Sequence, residues 1–565
     1  MVCTARRGLE LRPHPDDGSF RAPLRSGPPL AAGDIVLAAG DIVAVRQGPR
    51  GRVTALRRLG RVGDPALDFE GLCDLHQLPR SFPEACLREL DALASDDAAE
   101  RSDLSSVPFV TIDPARARDH DDAVFAERTR SGHRLWVAIA DVARFVPPGS
   151  ALDREAKRRG NSVYLPERVV PMLPELLSGD LCSLRPQQDR LALAVELAID
   201  REGGLARRQV VCARIRSRAK LAYAEAAAVM EGSPCGDAEV EASLRALAEL
   251  AALLRARRST SGSIDFELSE PEPEVDAEGR VLAIGRAART VAHRAIEEAM
   301  LAANRAIAEL LVEARWPTLH RVHEPPDPAE LAALEPVLAS LGLWPGRMRR
   351  APAAADLPAL ALAARERADA SVVHGLLVRA LRQARYADAP LGHFALGFTH
   401  YLHFTSPIRR YADLVVHRAV KAQLAGRRPP RATLAELAEH LSRRERASAQ
   451  AEYQALDWKR AALLLPRVGQ SFEGRVSTIA PPGLFVTLEA VQGDGLVPLR
   501  SLPRNAHVDL RRALVTIGRE RIGLGARIAV RLVEMDPARG RFRLALASYS
   551  GGVASSRPAR RSHSG

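Results

Sequence analysis

Four aspartates, Asp113, Asp119, Asp121 and Asp122, stand within ten residues of one stretch, TIDPARARDHDD, Thr111 to Asp122. Like charges this close raise one another's pKa, so the four cannot all stay ionised within a few ångströms unless something positive joins them. The short β run VPFVTID (Val107 to Asp113) leads in, and HRLWVAIADVARFV (His133 to Val146) begins as another strand. The cluster is therefore expected in the connection leaving a strand, where catalytic groups concentrate.

The 565 residues suffice for about three or four domains of roughly 150 residues. A 46% hydrophobic composition supplies their cores. Lys and Arg outnumber Asp and Glu by 81 to 69, and the pI is about 9.9, which favours a polyanionic partner such as nucleic acid. Cys3, Cys73, Cys86, Cys182, Cys212 and Cys235 form no C-x-x-C pair, so they read as reduced thiols and not as a zinc ribbon or disulfide framework. No apolar run approaches about 18 residues, and the start lacks the apolar core of a secretory signal. A soluble, cytoplasmic protein is expected.

Residues 1–29, rich in Arg, Pro and Gly, read as a disordered or misassigned start. LAAGDIVLAAGDIV (Leu30 to Val43) is a local duplication beside a strand, and the pattern up to Val53 suggests part of a small barrel. RLALAVELAID (Arg190 to Asp200) is a buried-strand candidate. The middle is helical: Ile296, Met300, Ala303, Ile307, Leu310 and Leu311 form one apolar stripe, and Ser371 to Tyr386 and Leu434 to Leu465 have similar periods. After Pro466 about five short β runs separated by Gly and Pro turns match a five-stranded oligonucleotide-binding barrel, followed by a basic tail at 551–565.

A hard divalent cation is the simplest neutraliser of the aspartates. Carboxylates without cysteine point to magnesium or manganese. The bland reading is an acidic loop that caps a helix or lies solvated between Arg116 and Arg118. An EF-hand is excluded by the spacing. In HYLHFTSPIRRYADLVVHR (His400 to Arg418), Arg409, Arg410, Ser406 and Thr405 offer donors to a phosphate, and Tyr401, Phe404 and Tyr411 offer aromatic faces. The same residues also read as a helix start, with Ser406 as N-cap and Pro407 first in the helix. His393, His400, His403 and His417 match no common zinc spacing. Tyr164 by itself reads more readily as core than as a platform for a base.

Taken in order, TIDPARARDHDDAV, VAIADVARFV, NSVYLPERVVPMLPELLSGDLCSLRP, GSIDFEL, HRAIEEAMLAANRAIAELL, LHRVHEPPD, HFTSPIRRYADLVVHR and AEYQALDWK resemble the ribonuclease II / ribonuclease R family of processive 3′-to-5′ exoribonucleases. The resemblance spans about 106 to 462. It implies an α+β multidomain protein: a central α/β RNB catalytic domain at 106–462, a truncated cold-shock-like barrel region at 30–105 and an RNA-binding barrel of the ribosomal S-one type at 467–550. It implies hydrolysis of single-stranded RNA to nucleoside 5′-monophosphates with Mg2+, or Mn2+, at the aspartates. By position, Asp113 and Asp122 look like direct metal ligands, Asp121 like a ligand critical to the chemical step, and Asp119 like a further ligand or water-positioning group. Arg409 looks like the arginine on the scissile phosphate, with Arg410 beside it. Tyr164, Phe266, Glu297 and Glu452 look like RNA contacts.

His120 stands where the family more often has an aromatic or Met. Before residue 106 there is room for about one small barrel where larger relatives carry two. Pro482 and Pro498 occupy positions where the C-terminal domain often presents an aromatic or His, leaving Phe472 and Phe485 as its stacking faces and a weaker RNA grip expected. The competing class is an RNA-binding regulator on a dead nuclease scaffold, which usually loses aspartates from the cluster, and none is lost here. A DNA exonuclease is a third reading. One active site within one chain permits a monomer.

Overall fold

The computed structural model describes residues 2–5, 9–12, 41–47, 53–61, 64–91, 101–266, 268, 270–344, 350–428, 433–537 and 539–548. The tail at 551–565 and most of the duplication at 30–43 lie outside them. The centre is a seven-stranded sheet in the order 219–222, 110–113, 122–129, 132–140, 189–200, 205–216, 102–103. Its middle is antiparallel, and the strands 219–222 and 102–103 pair in parallel at the two edges. A tight turn joins Thr129 to Gly132. Gly132 has a φ of +147°, and a β-carbon there would collide with the Ile199 carbonyl oxygen, so the turn admits no side chain at this position.

Period-two alternation gives this sheet two unlike faces. Leu135, Val137, Ile139, Leu193, Val195 and Leu197 lie on one, beneath the helices Ala238–Thr260 and Val291–Glu313. Each such side chain stabilises by about 1.5–3 kcal/mol on burial. The other face is lined by Ala123, Ala138, Ala140, Ala192, Ala194 and Ala213, against which Leu152, Leu173, Leu177, Ile408, Tyr411 and Leu414 pack. Small residues facing large ones let the layers interdigitate closely. The segment around Ile408 is thereby drawn down onto the sheet. Asp141, fully buried beyond the end of strand 132–140, holds it there by accepting from Lys421 Nζ on both oxygens (2.9 and 2.8 Å) and from Arg101.

The helix Ala435–Leu464 realises the apolar period expected over Leu434 to Leu465. The stretch Ser371 to Tyr386 is not one helix: helix Ala370–Arg379 stops, and Arg385–Ala387 becomes a strand because it pairs with His320–Val322. Within 1–29, read as a disordered start, Val2–Ala5 and Leu9–Arg12 pair with each other and join Asp41–Gln47 and Val53–Arg61 in a four-stranded sheet, and the rest of that stretch lies outside the described residues. Backbone pairing supplies there what the missing apolar period does not. The helix Pro65–Leu75 follows and is tied to the long helix through Lys459, which is buried with Asp68 (3.1 Å) and Glu167.

The strands Ser471–Ala480, Gly483–Leu488, Gly493–Pro498, Arg541–Ser548 and Arg527–Asp536 close, in that order, into the five-stranded barrel read from the sequence. Three further strands, Ala506–Asp509, Leu514–Ile517 and Glu520–Gly523, form a separate sheet that the sequence reading did not resolve. Among the described residues no helix is long and apolar enough to cross a membrane.

Candidate active site

Strand Val110–Asp113 ends on one aspartate and strand Asp122–Thr129 begins on another, so the loop 114–121 starts and ends on carboxylates. Pro114 has no N–H to extend the ladder, and its carbonyl accepts from Ala117 N in a turn. The loop is held at several points. Lys220 Nζ donates to the carbonyls of Ala115 (3.1 Å) and Ala117 (2.7 Å), and Ser183 Oγ donates to the Arg118 carbonyl while accepting from His120 N. The Leu184 and Ala140 N–H groups donate to the His120 and Asp121 carbonyls.

Three aspartates are each oriented through one carboxylate oxygen. Asp113 Oδ2 lies 2.7 Å from His120 Nδ1, Asp119 Oδ2 accepts from the Tyr164 hydroxyl at 2.9 Å, and Asp121 Oδ1 accepts from Ile408 N at 2.8 Å. Asp121 is 4% exposed, and its Oδ2 is buried without a hydrogen-bond partner, with Arg409 Nε 3.5 Å away. Burial, with Asp122 and Asp119 adding to it, pushes the Asp121 carboxyl well above the usual range against the pull of Arg409 and the Ile408 N–H. Burial and the charge of Asp113 push Asp122 up to about 7. Among the described residues no three His, Cys, Asp or Glu side chains are grouped so as to hold a metal ion between them. The carboxylate donors and the orphaned Asp121 oxygen fit a hard cation that completes its shell with water and substrate oxygens.

The phosphate-binding candidates meet the loop through the alanine face. The helix Tyr411–Leu424 begins five residues after Ser406, so Ser406 is not its N-cap: Asp413 Oδ1 accepts from Ser406 N and its carboxylate binds Arg410 through two bonds (2.9 and 2.7 Å). The buried carboxylate outcompetes the serine hydroxyl as organiser of that turn. Arg409 stays half-exposed, and a guanidinium nitrogen donates to Ser406 Oγ. Tyr401, Phe404 and Tyr411 are buried and not available as stacking faces, because their rings fill the core around this turn. His320, His393, His403 and His417 are held neutral by burial, their pKa values lowered.

Tyr164 reverses the core reading. The residue is 39% exposed, its hydroxyl is on Asp119, and its backbone N–H donates to Glu452 Oε1 at 2.9 Å. With Asn161, Arg409, Arg410, Glu445 and Glu452 it lines a cavity of about 260 Å³. Phe266 packs instead against a separate cluster that includes Leu331, Leu357 and Leu377, edge-on to His374. Glu297 is ion-paired with Arg289. Phe472 packs on the barrel core, and Phe485 alternates with the core residues Leu484 and Val486. Tyr223 was missed by the motif reading. It follows Ala222, which pairs with Asp113, and its ring stacks on His293 at 3.7 Å, with its pKa raised by burial and by the charges of Asp122 and Asp113.

A model of the RNB domain matches residues 101–426, more than half of the chain. The chain belongs to the RNB family. A model of the S1 RNA binding domain matches residues 465–547 of this RNB-family chain. The chain is 36% identical over 538 residues to Ribonuclease R of Aquifex aeolicus, with 92% of the chain and 75% of that protein covered. It is 36% identical over 487 residues to Ribonuclease R of Escherichia coli, where 82% of the chain but only 60% of that protein is covered. Mycoplasma genitalium RNase R, solved in complex with ribose methylated single-stranded RNA, is similar with a TM-score of 0.82 and 28% identity, covering 92% of this chain and 84% of that one. The chain thus carries an RNB domain and an S1 domain and is similar to ribonuclease R over most of its length.

Proposed function

We propose that this chain is a hydrolytic 3′-to-5′ exoribonuclease that works processively on single-stranded RNA and releases nucleoside 5′-monophosphates. The observation that carries the reading is the meeting of Asp121 and Arg409 from opposite ends of the RNB domain, with a buried carboxylate oxygen that no hydrogen bond satisfies. Asp113, Asp119, Asp121 and Asp122 would hold Mg2+, or Mn2+. Bound there, the cation supplies charge neutralisation and a more acidic water.

Arg409 binds the scissile phosphate and stabilises the charge that grows on it. Water adds to phosphorus, the P–O3′ bond breaks, and a proton goes to the departing 3′-oxygen. Tyr164, itself fixed between Asp119 and Glu452, packs against the terminal nucleotides, and Arg410 lies beside them in the same cavity. Glu452 meets RNA in that same cavity, Glu297 and Phe266, which do not line it, would meet RNA further along, and Phe485, with Phe472, serves the S1 barrel. Basic surface supplies a salt-dependent grip without sequence preference.

The test is incubation of the full chain with end-labelled single-stranded RNA and Mg2+. Release of 5′-monophosphates that Asp121→Asn abolishes is expected, with single-stranded DNA left intact. RNA bound but uncut would point to the regulator reading, and equal digestion of DNA to the DNA exonuclease.

A further inference from the structure

The acidic loop also forms part of a second cavity, of about 390 Å³, lined by Arg118, His120, Arg185, Gln188 and Lys220 among others. No carboxylate is among its lining residues. Arg118 lies 4.0 Å from Glu175 and Arg185 is ion-paired with Asp180 at 3.1 Å, and their side chains are 81% and 41% exposed. Lys220 is fixed by the two loop carbonyls it binds. His120 belongs to both places: it lines this cavity and its Nδ1 meets Asp113.

We propose that this cavity receives the 5′-phosphate of the nucleoside monophosphate as it leaves the aspartates, an inference that rests on the hydrolytic reading above. Hydrolysis turns a phosphodiester of charge −1 into a monoester of about −1.5 to −2 at neutral pH, since its second pKa is about 6. The product therefore binds arginine and lysine cations more strongly than the phosphodiester did. Three cations stand on the same loop and its neighbours, and arginine forks match a phosphate's geometry. The volume falls within the roughly 300–1,000 Å³ of small-molecule sites, room for one nucleotide and not for a strand. No Phe, Tyr or Trp lines it, so it reads the phosphate and not the base. An enzyme that takes nucleotides of every kind from a strand requires that indifference.

The test is equilibrium dialysis of labelled AMP against the full chain carrying Asp121→Asn, without divalent metal, beside the same chain with Arg118→Ala and Arg185→Ala added. Both arginines are exposed enough to be removed without opening a buried void. A loss of affinity of tenfold or more in the triple variant is expected, with AMP displaced by inorganic phosphate and not by adenosine. Affinity unchanged by the arginine substitutions, or displacement by adenosine, overturns the proposal. RNA cleavage by the unsubstituted chain is read separately. RNA cut while AMP binding ignores the arginines removes the cavity's role alone, and RNA left uncut while AMP binding needs them removes the hydrolytic reading alone.

Discussion

The backbone N–H of Ile408 donates to Oδ1 of Asp121 at 2.8 Å, joining points 287 residues apart in the chain. That bond aims the second oxygen of Asp121 toward Arg409. Asparagine can keep the same acceptor for Ile408 while losing the charge. Asp121→Asn is expected to fold normally, bind RNA, and lose at least about 10²–10³-fold in single-turnover cleavage. Thermal melting beside a cleavage assay checks both halves.

Tyr164 contributes a hydroxyl to Asp119 and a half-exposed ring to the cavity. Tyr164→Phe removes only the first, a hydrogen bond to a charged group of about 1.5–3 kcal/mol. A fall in kcat of about tenfold or more with little change in KM is expected. Tyr164→Ala also removes the ring, and KM should then rise, since stacking on a base is worth about 1–3 kcal/mol. Steady-state kinetics on one short RNA separate the two.

Arg409 presents a planar fork beside Asp121, which a lysine's point charge does not reproduce. Arg409→Lys should recover only a small part of the activity lost in Arg409→Ala, measured under single-turnover conditions with saturating enzyme.

Lys459 is buried between Asp68 and Glu167, at the junction of the first helix, the loop after Tyr164 and the long helix. Lys459→Met would remove the buried ammonium that both carboxylates share, a loss of about 3–5 kcal/mol. Adding Asp68→Asn and Glu167→Gln should restore part of it, read from denaturant midpoints.

Burial lowers His320 and His417 to about 4 from an ordinary value near 6.5. Above pH 6.5 both are neutral whether the chain is folded or not. Between 6.5 and about 4 the unfolded chain takes up protons that the folded one refuses. Their contribution to stability should therefore fall as pH drops through that window and level off below it, while Asp121 and Asp122, raised by burial, contribute in the opposite direction. His417→Gln, which keeps a donor for the Phe404 carbonyl, is expected to flatten the slope of melting temperature against pH.

The chemistry was legible in linear order. Aspartate spacing, the Arg409–Arg410 pair and the ordered motifs identified the RNB domain and its acidic loop, and Gly and Pro punctuation after Pro466 identified the barrel. Local pattern misplaced what long-range contacts set. Ser406 looked like an N-cap until Asp413 claimed its N–H, and Tyr401 and Phe404 looked like platforms until the core closed over them. Tyr223 carried no motif, and its place beside Asp113 follows from a parallel strand pairing that only folding creates.

Residue types and spacing thus identify the family this chain belongs to, because the crowded carboxylates and the motifs that follow them in order match the RNB domain. Which side chains serve that chemistry is settled in three dimensions. A sheet with one face of alanines admits the Ile408 turn closely enough for Arg409 to stand beside Asp121. Tyr164, exposed against its own preference, is held to Asp119 and Glu452 by partners 45 and 288 residues away.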